Sequence, residues 1–152
     1  YRSGTHNIPG IVGLGKAAEL ALSDISGNSM MLEKLSKLFL DTIDQENIDY
    51  SINGPIINRL PGNLNLCFHG VESDWLILHT PSIAISTGSA CTSETITPSH
   101  VLRAIGLKND DINSSVRISF GNYTTEEEAV MSAKDISASV RNYIKKKEEI
   151  FA

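Results

Sequence analysis

The sequence predicts a two-layer α/β fold in which a small antiparallel or mixed sheet packs its apolar face on helices. Two observations point to the sheet. Leu64, Leu66 and Phe68 alternate with Asn63, Asn65 and Cys67, and Val116, Ile118 and Phe120 alternate with Arg117 and Ser119. That period of two marks half-buried strands. The third observation is helical spacing of apolar residues toward both ends of the chain. The 152 residues, 41% hydrophobic and 20% charged, are enough to bury one core, so a single domain over 1–152 is expected.

The first helix is expected after Thr5–Ile8, with Pro9 early, where its missing N–H costs nothing. Ile11, Leu14, Ala18, Leu22 and Ile25 mark its apolar stripe. Ser26-Gly27-Asn28-Ser29 weakens the pattern, which resumes at Met31, Leu32, Leu35, Phe39 and Ile43. One kinked helix or two helices meeting near Gly27 would explain this, with Met30 and Met31 as core filler. Asp49–Asn53 is a short strand stopped by Gly54-Pro55, and the stretch at Leu64–Phe68 is the next strand. Ser73 and Asp74 open a short helix that Pro81 ends, with Trp75 in the core. Ile83–Ser86 is a further strand. Thr97 and Pro98 are expected to begin a helix that Gly106 ends. The strand Val116–Phe120 follows, with Arg117 opposite the apolar set. Thr124 with Glu127, or Thr125 with Glu128, makes a capping box for the last helix, carried by Val130, Ala133, Ile136, Val140 and Tyr143.

Composition excludes several classes. The net charge is −5, and the one basic cluster, Lys145-Lys146-Lys147, is followed at once by Glu148 and Glu149. No basic surface argues for nucleic acid. No apolar run approaches the ~20 residues of a membrane span. Two cysteines, Cys67 and Cys91, make no disulfide framework, and a reducing compartment, cytoplasmic or an organelle matrix, is the default. Gly10, Gly13 and Gly15 crowd inside a helix and form no dinucleotide loop. The four histidines show no ligand spacing, so no metal site is expected within the chain. Cys67, on a strand among bulky neighbours, reads as structural.

Cys91 reads differently. It lies in Ser86-Thr87-Gly88-Ser89-Ala90-Cys91-Thr92-Ser93-Glu94, where no bulky apolar side chain anchors the segment. That composition describes an exposed, mobile loop with a thiol near its middle. A small core cysteine at a strand end stays open as the alternative. Arg117 is a second candidate, because a planar guanidinium on a rigid strand reads a carboxylate bidentately. A surface arginine is the alternative there. Thr5 reads, on its own, as a helix cap.

The run "STGSACTSE" resembles the active-site cysteine loop of the cysteine desulfurases, the NifS/IscS-like group of the class V aminotransferase family. "RSGTHNIPGIVGLGKA" at 2–17, "PSHVLRAIGL" at 98–107 and "VRISFGNYTTEEE" at 116–128 resemble the same family in order and spacing. The resemblance covers nearly the whole chain but only the C-terminal portion of such an enzyme. It implies the small C-terminal domain of a fold-type I pyridoxal-phosphate enzyme. The chain has no initial Met and is inside the family pattern by Arg2, so a fragment or processed chain is expected.

The resemblance also assigns roles. Cys91 would be the nucleophile that takes sulfur from L-cysteine as a persulfide, leaving L-alanine, and passes it to an acceptor such as an iron–sulfur scaffold protein. Arg117 would bind the substrate carboxylate. Thr5 would contact the pyridoxal-phosphate phosphate across a homodimer. The Schiff-base lysine and the histidine that stacks on the cofactor would lie in a larger preceding domain, since none of the lysines here matches that motif. The 152 residues alone are therefore expected to be inactive. A non-catalytic sulfur-carrier or docking module, and a class V relative acting on another amino acid, are the competing readings.

Overall fold

The structure, a computed structural model, describes residues 3–87 and 99–151, with side chains through Ile150. The Asn7 side chain opens helix α1 (Ile8–Ser23) by accepting a hydrogen bond from the Gly10 N–H at 3.1 Å. A Cβ at position 10 would lie 2.6 Å from Asn7 Nδ2, so a glycine there makes room for the cap. The cap is therefore Asn7, and the capping role read for Thr5 is corrected.

Helix α2 (Ile25–Gln45) follows after a break at Asp24, where φ −142° and ψ 31° leave the helical region. The break is thus two helices meeting, but at Asp24; the polar run Ser26–Ser29 is helical and belongs to α2. Leu35, Phe39, Thr42 and Ile43 form the buried stripe of α2 at the spacing of one helix face. Met30, expected in the core, is 66% exposed on the opposite side.

Strands β1 (Tyr50–Ile52), β2 (Asn63–Phe68) and β3 (Ser115–Ser119) form one sheet in that order, antiparallel throughout. The alternation read from sequence sets the faces: Leu64, Leu66, Phe68, Val116 and Ile118 are buried in the core. The strand expected at Ile83–Ser86 is only a bridge, Ser86 to Arg117, outside any named strand.

Helix α3 (Ser73–His79) starts without a side-chain cap. Half-buried Trp75 packs against the core, and its indole N–H donates to the Ser139 carbonyl at 3.3 Å. Helix α4 (His100–Ala104) is capped by Ser99, whose Oγ accepts from the Leu102 N–H at 3.4 Å. The helix start expected at Pro98 therefore falls two residues later, and Thr97 and Pro98 themselves lie outside the described residues. Gly106 ends α4 with φ +94°. Its N–H bonds to the Arg103 carbonyl at 3.0 Å, and the Leu107 N–H bonds to the Leu102 carbonyl at 3.1 Å, a Schellman closure that needs a left-handed residue. A short helix α5 (Asn109–Asn113) follows, unforeseen, with Asp110 and Asp111 in its first turn.

Helix α6 (Glu126–Phe151) opens on the second of the two capping boxes considered. The Thr125 N–H donates to Glu128 Oε2 at 2.8 Å, and the Glu128 N–H donates to Thr125 Oγ1 at 3.2 Å. Ala129, Ala133, Ile136 and Val140 are buried, and α6 packs on α2 and α3 over the sheet. The result is the expected two-layer arrangement, with Phe39, Ile43, Leu66, Phe68 and Ile136 at its centre.

Candidate functional site

The sheet face turned away from the core carries Arg117, Asn65 and Cys67. Arg117 lies in β3 between buried Val116 and Ile118, and alternation turns its side chain to the face away from the core, where it is exposed. Asn65 is its register partner on β2. Arg59 spends its guanidinium on the Asn63 and Pro55 carbonyls, and Arg141 pairs with Glu46 at 2.8 Å. Among the described residues no carboxylate pairs with Arg117. A strand thus holds a planar fork of donors at the surface, a geometry able to read a carboxylate.

On its other edge β3 meets Ser86. The Arg117 N–H donates to the Ser86 carbonyl at 2.7 Å, and the Ser86 N–H donates to the Arg117 carbonyl at 3.3 Å. The residue that opens the cysteine-bearing run is therefore fastened to the backbone of the candidate carboxylate clamp. Cys91, five positions on, lies outside the described residues. Thr5 is exposed, precedes α1 and takes no part in its cap.

Cys67 is on the same sheet face as Arg117, one alternation along β2 from Asn65, with Ser115 and Ser51 as register partners. It is 1% exposed, and burial is the main reason its thiol is pushed above the ordinary value, with the Asp111 charge adding to that effect. A buried thiol held above its ordinary value is a poor nucleophile, which fits the structural reading of Cys67.

What sequence reasoning missed is the company Cys67 keeps. His69 Nδ1 is 3.7 Å from Cys67 Sγ, and with an Asp111 carboxylate oxygen the three donor atoms lie within 4.8 Å of one another. Cys67 is on β2 and His69 is two residues on, in the turn that follows the strand. Asp111, on a helix not foreseen, gave no sequence signal. A separate groove of about 580 Å³ between α2 and residues 56–64 includes none of these residues.

Comparison with known proteins gives the family and the fold. The aminotransferase class-V family model matches residues 1–130. The chain belongs to the class-V aminotransferase family. Within that family it is similar to curated proteins named cysteine desulfurase IscS. It is 41% identical to the protein from Anaeromyxobacter dehalogenans (strain 2CP-C) over 93% of this chain and 35% of that protein. It is 40% identical to the one from Rickettsia bellii (strain OSU 85-389) over 91% of this chain and 34% of that one. The chain thus spans about a third of the length of the curated relatives it matches. Among solved structures, a NifS-like protein superposes with a TM-score of 0.76 at 29% identity, over 90% of this chain and 34% of that one. DndA from Streptomyces lividans superposes with a TM-score of 0.57 at 28% identity, over 78% of this chain and 33% of that one. The small antiparallel sheet packed on helices is therefore a fold shared with NifS-like members of the class-V family. No helix among the described residues is long and apolar enough to cross a membrane.

Proposed function

We propose that this chain supplies the nucleophile and the carboxylate clamp of a pyridoxal-phosphate-dependent cysteine desulfurase, whose complete form is a cytoplasmic homodimer. The observation that carries the reading is the two-way backbone bridge between Ser86 and Arg117. It anchors the start of the cysteine-bearing run at the strand position from which the guanidinium projects. Five residues span at most about 18 Å, so the thiol of Cys91 has the reach to meet a substrate held by Arg117.

The cofactor's fit to this chain is partial. The Thr5 hydroxyl is exposed and not used as a cap, which suits donation to a phosphate oxygen. The Schiff-base lysine belongs to the part of the enzyme outside this chain. Pyridoxal phosphate, when bound, supplies an electron sink. The chain's own residues do the rest. Arg117 donates two parallel hydrogen bonds to the carboxylate of L-cysteine and so fixes its orientation. The Cys91 thiolate attacks the substrate sulfur, a sulfur–sulfur bond forms, and the carbon–sulfur bond breaks. The electron pair of that bond goes to carbon, which gains a proton and leaves as L-alanine. The persulfide on Cys91 then passes its outer sulfur to an acceptor protein for iron–sulfur cluster assembly or for tRNA or cofactor thiolation. A non-catalytic sulfur carrier is less well supported, because it has no use for a guanidinium that pairs with no carboxylate among the described residues and sits on the strand bridged to Ser86.

The deciding experiment is a cysteine pulse on the complete enzyme followed by mass mapping of persulfide. The label is expected on Cys91 and to disappear in Cys91→Ser, while Cys67→Ser keeps it. Persulfide on Cys67, or alanine released at the normal rate without Cys91, would sink the reading. Arg117→Lys should raise KM for cysteine more than it lowers kcat, since lysine keeps the charge and loses the fork. The 152-residue chain alone should release no alanine from cysteine.

A further inference from the structure

We propose that Cys67, His69 and Asp111 form a binding site for a divalent transition-metal ion of the zinc class. The site is independent of the desulfurase reading, since none of its ligands is Cys91, Arg117 or Thr5.

The donor set is the first argument. A thiolate, an imidazole and a carboxylate are the ligand types that zinc takes, and three protein ligands leave a fourth position for water. Two negative charges and a neutral ring balance a divalent cation. Spacing is the second argument. With Zn–S near 2.3 Å and Zn–N near 2.0–2.1 Å, tetrahedral geometry separates the two donors by about 3.5 Å. Cys67 Sγ and His69 Nδ1 are 3.7 Å apart, and all three donors lie within 4.8 Å. The Cys67–His69 pair is within a few tenths of an ångström of that separation, and the Asp111 oxygen, inside the same 4.8 Å group, has to close by up to about 1 Å, which a carboxylate rotamer adjustment supplies.

The frame that holds the donors is the third argument. Cys67 is fixed in the sheet between Ser51 and Ser115. The His69 N–H donates to the Asp49 carbonyl at 3.2 Å, and the Phe68 N–H donates to the Ser114 carbonyl at 2.9 Å. Helix α5 is tied to the strand through Ser115 Oγ, which donates to the Asp111 carbonyl at 2.6 Å and accepts from Asn53 Nδ2 at 2.8 Å. Cys67 and Asp111 come from two elements whose backbones are already locked together, and His69 sits on the turn after β2 with its backbone N–H held by Asp49, so binding orders little new chain. Access is also graded: Cys67 is buried, Asp111 half-buried and His69 exposed, so an ion enters past the imidazole.

Binding replaces the thiol proton, which goes to solvent as the metal–sulfur bond forms, and no electrons change hands. Metal affinity should therefore rise with pH.

Cobalt(II) is the probe, used on the full chain carrying Cys91→Ser so that the other thiol cannot contribute. One cobalt per chain is expected, with the thiolate-to-cobalt charge transfer and visible absorption of a tetrahedral site, and zinc should displace it. Cys67→Ser should abolish the charge transfer. His69→Gln and Asp111→Asn should each weaken binding by about tenfold or more, because loss of a ligand costs at least what loss of an outer-shell partner costs. His69 is exposed, so its substitution tests the site without endangering the fold. Absence of charge transfer in the Cys91→Ser chain would overturn the proposal. So would an unchanged band in Cys67→Ser, or unaltered affinity in His69→Gln.

Discussion

Helices α1 and α6 are both long and both carry apolar residues at helical spacing, yet they end differently. α6 buries Ala129, Ala133, Ile136 and Val140 against α2, α3 and the sheet. α1 buries nothing, and Ile11, Leu14 and Leu22 are 56%, 73% and 74% exposed. Periodicity shows which face of a helix is apolar and says nothing about what covers it. The chain spans about a third of the length of the curated relatives it matches. The difference between the helices is between a stripe covered by other described residues and one that no described residue covers.

The largest expected effect tests that difference directly. Ile136→Ala should cost about 2–5 kcal/mol, since it empties a fully buried site. Leu14→Ala should stay within about 0.5 kcal/mol in the same chain, because the leucine is exposed and alanine is the better helix former. Chemical denaturation of both variants gives the comparison. Equal losses would mean that α1 is packed in solution. In the complete enzyme, Leu14→Ala should become costly, on the order of 2 kcal/mol, if the rest of the protein covers this face.

A smaller effect comes from the two helix starts. Thr125→Ala removes half of the capping box of α6 and should cost about 1 kcal/mol of global stability. Asn7→Ala removes the cap of α1, where no core depends on it, so it should reduce helicity by circular dichroism without moving the unfolding midpoint. A shift of the midpoint as large as that of Thr125→Ala would break the contrast.

The sheet was legible because alternation in β2 and β3 is strict, and Arg117 falls on the predicted face for that reason alone. The closing turn at Gly106 was legible because a left-handed residue is required there. The helix break was read three residues late. Ser26-Gly27 looks like a breaker, but a Cβ at Gly27 would lie 2.3 Å from Asp24 Oδ1, so the glycine accommodates the true break point upstream. Ile83–Ser86 had strand composition and gained one bridge only, because pairing depends on a partner that sequence does not name. The group of Cys67, His69 and Asp111 was not legible: Cys67 is on β2, His69 is on the turn just after it, and Asp111 arrives on a helix too short to carry a pattern.

The last prediction compares the two parts by pH. The packed part holds Tyr50, whose hydroxyl donates to Asp44 Oδ1 at 2.8 Å on α2. Burial, then the hydrogen bond to Asp44, then the charges of Asp44 and Asp41, raise its phenol from 10.0 to about 12. The folded state therefore binds this proton more tightly than the unfolded state. The resulting stability is fully present below pH 10.0 and is lost as pH rises from there to about 12. Tyr50→Phe has no proton to lose. Its stability should fall less steeply than wild type across that window, while the hydrogen bond it lacks leaves it slightly less stable at neutral pH. Urea midpoints followed upward from neutral pH for both proteins give the two slopes. Parallel slopes would show that the phenol is free in solution and that β1 is not clamped to α2. Convergence of the two curves toward high pH would place the alkaline loss at the contact between α2 and the sheet, and leave α1, which shares no such contact, silent in the titration.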